Sequence, residues 1–123
     1  MDASQQPLAV FGQVFIQQVR DNALFVFERT VTGHMKGERA QEMRQQLKSF
    51  SPEQMAVVKD LVYQMVDTCL HHTLFMFQEH PEWVISQPDA GIGNLNELSD
   101  GLAGELYTED GWIEQFSKYP HGL

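Results

Sequence analysis

His71 and His72 stand side by side near the middle of the chain, with Asp67 about one helical turn before them. Neighbouring residues on a regular helix point about 100° apart, so this pair cannot grip one metal ion together. Di-iron bundles carry Glu-x-x-His on their helices. Here the residues three before each histidine are Val31, Thr68, Cys69, Phe77 and Lys118, so that motif is missing. The sequence therefore assigns no metal and no cofactor. Asp67 is spaced to hydrogen-bond His71, while His72 projects near an apolar face beside Met65 and Met76. Gln18, Asn22 and Arg29 fall within a narrow arc of an earlier helix. With Asp67, His71 and His72 they form a candidate pocket, which is the case for an enzyme or for a bundle that binds a metal or a small ligand. Against it, the same residues make a half-exposed edge, with Arg29 reaching solvent along its aliphatic stem.

Other chemistry finds no support. Gly91-Ile92-Gly93 lacks the third glycine of a dinucleotide fingerprint and follows no βαβ strand, so it reads as a turn. Asp89, Asn94, Asn96 and Glu97 are oxygen ligands in a loop without EF-hand spacing. The single cysteine cannot form an internal disulfide, and Cys69 reads as a buried, inert thiol. No catalytic residue is assigned.

Charge carries more information. The net charge of −9 is uneven: residues 1–78 hold 8 acids and 7 bases, whereas residues 79–123 hold 9 acids against Lys118 alone. The acids Glu97, Asp100, Glu105, Glu109, Asp110 and Glu114 lie within this last third. Nucleic-acid binding needs a basic footprint, which this chain lacks. A concentrated acidic region either keeps the protein soluble or steers a basic protein partner toward it. The expected function is therefore a small non-catalytic binding protein, of which an immunity-type inhibitor of a toxin is one form. No apolar run approaches a membrane span, and the acidic start of the chain lacks the basic residues of a signal peptide, so a cytoplasmic location is expected.

These residues must be positioned by helices. Residues 51–81 begin with Ser51, Pro52 and Gln54, a capping box with proline at the first helical position, and Pro81 stops the helix near Glu79. At about 100° per residue, its widest apolar face centres on Val58 and Met76 and includes Val62, Met65, Cys69 and Thr73, which predicts that these residues are buried together. Asp60, Gln64, Asp67, His71 and Gln78 form the polar stripe. Residues 7–32 form a second long helix ended by Gly33, with Leu24, Phe27 and Val31 on a side away from its main apolar line. That stripe is a candidate homodimer contact. Trp83 is expected on the core. The fold class is all-α: one helical-bundle domain over residues 1–123. It has two long antiparallel helices (about 7–32 and 52–79), a shorter one (about 36–49) and two short C-terminal helices.

Overall fold

The computed structural model describes residues 6–107 and 109–119, and Thr108, read above as a helix cap, lies outside them. The protein is an all-α bundle, and among the described residues the sole β interaction is an isolated bridge between Gln87 and Ile92. A first rod is built from α1 (Gln6–Phe15), a π-helical segment (Ile16–Asp21) and α2 (Asn22–Val31), with helical backbone angles at both junctions. Helix α3 spans Glu38–Leu47 and α4 spans Pro52–Glu79. Three 3-10 turns follow (Pro88–Ala90, Leu95–Leu98 and Leu102–Leu106), then α5 (Trp112–Phe116).

The helix ends match their sequence signals. Ser51 Oγ accepts from Gln54 N–H while Gln54 accepts from Ser51 N–H, so the capping box forms. Gly33 takes the left-handed conformation (φ 81°), and the Gly33 and His34 amides donate to Thr30 and Arg29 carbonyls, closing α2 with a Schellman turn. Leu24 and Val31 line one cleft with Met55 and Ala56, whereas the earlier Arg20 meets the later Asp67, so the first rod and α4 run antiparallel.

Burial along the first rod falls on Leu8, Gly12, Ile16, Arg20 and Leu24, every fourth residue, with Asp21 buried beside Arg20. On a regular α-helix four residues overshoot one turn by about 40°, so this series would drift around the axis. The π segment makes a wider turn, with five-residue hydrogen-bond steps, and returns the series to one face. At Gly12 the missing side chain admits Trp112 of α5; a Cβ there would lie 2.6 Å from the indole Nε1. The indole also meets Phe11 edge-on at 5.8 Å.

Helix α4 is rotated by nearly half a turn from the sequence expectation. Its buried residues are Tyr63, Leu70 and Leu74. Met65, Cys69, Thr73 and Met76 are exposed, and Val58 and Val62 are half-buried. The reason is that the residues read as a polar stripe face neighbours. Asp67 pairs with Arg20, Gln78 accepts from Ala103 N–H, and the His71 ring lies against Tyr107. Trp83 is 65% exposed, so the tryptophan that reaches the core is Trp112. The two expected C-terminal helices are 3-10 turns and the five-residue α5.

Leu24 is buried, and Phe27 and Val31 are half-buried where they line a cleft with Met55 and Tyr63. The stripe that the sequence offers to a second copy therefore lines a cleft shared by α2 and the first turns of α4. Rotation of α4 has a direct thermodynamic signature. Leu74→Ala should cost about 2–5 kcal/mol as a core truncation. Met65→Ala should stay within about 0.5 kcal/mol in the isolated chain, as a surface change does. Chemical denaturation of the two variants at low protein concentration checks the contrast.

Candidate functional site

The candidate surface is the acidic segment, and its placement depends on a buried cation. Arg20 has no solvent exposure, and adjacent Asp21 is 5% exposed. The wide turn of the π segment brings these two consecutive side chains closer in direction than an α-helix would. Arg20 Nε donates to Asp67 Oδ1 at 2.6 Å. Its Nη1 donates to Ser117 Oγ at 2.6 Å and also to the Tyr119 carbonyl. The Ser117 hydroxyl donates to Asp21 Oδ1 at 2.6 Å, and Lys118 N–H donates to Asp21 Oδ2 at 3.0 Å. The guanidinium also stacks over Tyr63, 5.7 Å from the ring centroid. One cation and two carboxylates thereby tie the chain after α5 to the first rod and to α4.

Burial raises the Tyr63 phenol above its ordinary 10.0; the Arg20 cation opposes this, and the carboxylates of Glu28, Asp21 and Asp67 add to it. Burial also raises Tyr107, with Asp67 adding to the shift.

The acidic residues occupy the segment held by this clamp. Glu97, Asp100, Glu109, Asp110 and Glu114 are exposed, while Glu105 is half-buried and accepts from the Ser99 hydroxyl at 3.3 Å. The backbone beneath them is anchored by buried Leu95, Leu102, Ala103, Leu106, Trp112 and Ile113. Gln78 of α4 caps the Leu102–Leu106 turn through Ala103 N–H. Alternating buried apolar and exposed acidic residues therefore fix the carboxylates on the outside of a short, turn-rich segment.

The six residues of the candidate pocket are spread among different surroundings. Gln18 and Asn22 are exposed; the Asn22 amide donates to the Gln18 carbonyl, and both border a shallow polar depression with Asp21 and Lys118. Arg29 donates to the His34 carbonyl and lies over Phe25. Asp67 is engaged by Arg20. His71 stacks on Phe75 with ring centroids 5.9 Å apart, and His72 is exposed beside it, with their rings 5.2 Å apart. His71 Nδ1 is buried without a hydrogen-bond partner among the described residues. No group of three or more His, Cys, Asp or Glu among the described residues is arranged to hold a metal ion.

The residue that sequence reasoning missed is Arg20. Its signal was present: it continues the Leu8, Gly12, Ile16 series at the same four-residue interval. Compared with known proteins, the chain matches no family model, no curated sequence and no solved structure.

Removing one partner of a buried charge network leaves the other charges desolvated. Arg20→Met should therefore cost about 3–5 kcal/mol. Arg20→Lys should recover only part of it, because an ammonium is a point charge and lacks the fork that serves Asp67 and Ser117 together. Equilibrium denaturation of the two variants measures both effects.

Proposed function

We propose that this chain is a non-catalytic binding protein whose acidic C-terminal third docks a basic protein partner. The observation that carries the reading is the segregation of charge: 9 acids against one lysine in residues 79–123, compared with 8 against 7 in residues 1–78. The exposure of Glu97, Asp100, Glu109, Asp110 and Glu114 supports it, since a partner can reach them without unfolding the segment. A one-signed surface raises the rate of encounter with an opposite charge and fixes the orientation of approach. Anchored backbone beneath the acids lowers the ordering cost of binding. An inhibitor that neutralises a basic, nucleic-acid-cleaving toxin is one kind of protein built this way.

No helix among the described residues is long and apolar enough to cross a membrane.

The test is charge reversal. Asp100, Glu109, Asp110 and Glu114 changed together to lysine should slow association with the basic partner captured by the wild-type chain. Stability should hardly change, because exposed charges contribute little to folding. Wild-type association should also weaken as salt shortens the screening length to about 10 Å at 0.1 M. Association kinetics that ignore both the reversals and the salt would refute the reading.

A further inference from the structure

An apolar groove lies between α1 and the loop that precedes the Leu95–Leu98 turn. One wall is Val10, Phe11 and Val14 of α1, and the other is Ile85, Ile92 and Leu95. Its volume is about 650 Å³, within the roughly 300–1,000 Å³ of ligand pockets. Val10 and Val14 are 56% and 55% exposed, so the described residues leave the α1 wall uncovered. The loop wall is preformed. Gln87 N–H donates to the Ile92 carbonyl and Ile92 N–H to the Gln87 carbonyl, both at 2.9 Å. Leu95 N–H donates to the Ile85 carbonyl at 2.8 Å, and the Leu95 side chain is buried. An occupant therefore meets an ordered surface, which lowers the entropic cost of binding.

We propose that the groove receives an apolar side chain of the basic partner, one flanked by lysine or arginine. This rests on the acidic docking reading and names what the partner presents beside its charge. Charge complementarity selects the occupant. Helix α1 carries no charged residue, and the one charge in the groove lining is the exposed carboxylate of Asp89. The loop wall belongs to residues 79–123, where the sole lysine or arginine is Lys118. An anionic ligand such as a fatty acid finds no cation in the lining to answer it. A second copy would bring its own net charge of −9 to the same place. An apolar side chain between basic neighbours fills the walls while its neighbours meet Asp89. Gln6 and Gln87, also in the lining, offer amide donors and acceptors to the partner's backbone.

The groove is also continuous with the acidic segment. Phe11 lines the groove and packs edge-on against Trp112, with ring centroids 5.8 Å apart. Asp110 and Glu114, both exposed, lie two residues to either side of Trp112. Leu95 closes the groove and begins the turn that carries Glu97. One partner surface can thus touch the groove and the carboxylates together. The two contacts do different work. Exposed charge speeds the encounter, whereas a desolvated apolar anchor holds the complex once formed.

Two synthetic peptides of equal positive charge test the groove. One is lysine-rich with leucine and tryptophan between the lysines, and the other has serine in place of both. In titration calorimetry on the full chain, the apolar peptide should bind more tightly by at least about tenfold, or roughly 1.4 kcal/mol. Val10→Gln combined with Val14→Gln should abolish that preference and leave the affinity for the serine peptide unchanged. Ala90→Trp, which narrows the groove from the loop side, takes the place of that variant if it fails to fold. Reversal of Asp100, Glu109, Asp110 and Glu114 to lysine should weaken both peptides alike, so a failure of charge steering is read separately from a failure of the groove. Equal affinity of the wild type for the two peptides, or a preference that survives in the groove variant, would overturn the proposal. So would a wild-type dimer, seen by sedimentation, that the groove variant dissolves, because the groove would then hold a second copy.

Discussion

A guanidinium without solvent exposure is costly unless its charge is answered and its nitrogens find acceptors, and Arg20 finds them only by recruiting distant parts of the chain. Its partners are Asp67, 47 residues away, and Ser117 and Tyr119, 97 and 99 residues away. Asp21 adds a second carboxylate that holds Ser117 and Lys118. The full set of contacts is available only when the first rod, α4 and the chain after α5 are all in place. The cluster is therefore a condition on the whole fold more than a local ion pair. It also accounts for the π segment, which carries both Arg20 and Asp21 and keeps them on the buried side.

Buried charge networks of this kind add little net stability compared with apolar packing, and in some proteins they serve instead to select one arrangement among alternatives. An apolar C-terminal segment could settle on the bundle in several registers at similar cost. Ser117 and the Tyr119 carbonyl must meet one guanidinium, which leaves one register. The consequence passes to the acidic segment, whose carboxylates stand at fixed positions between buried Leu102, Leu106, Trp112 and Ile113. Preorganisation of that sort matters for binding, because a surface that is already ordered loses less entropy on association.

How much of this could be read from the sequence depended on whether a signal was local. Caps are local, so the start of α4 at Ser51 and the end of α2 at Gly33 were legible from residue type alone. Charge segregation is compositional and equally plain. The rotation of α4 was not legible, because width of the apolar face was taken to mean burial within the chain. The narrower face with Tyr63, Leu70 and Leu74 won the core, since Asp67 and Gln78 beside it had polar partners to meet there. Periodicity sees an apolar face but not what covers it. The partner of Asp67 was hidden for a related reason: the sequence sets Asp67 near His71, whereas Arg20, remote in sequence, engages it in the fold.

The outer apolar face of α4 and the acidic segment differ in the range over which each can act. Charge acts over a Debye length and suits capture, whereas an apolar stripe acts at contact and suits a standing interface. Two copies of a chain with net charge −9 would repel one another if they met through the acidic third. Residues 1–78 hold 8 acids and 7 bases, so the acids are concentrated on the C-terminal turns and kept off the outer face of α4. That separation requires the C-terminal segment to be held in one place, and the buried Arg20 is what holds it.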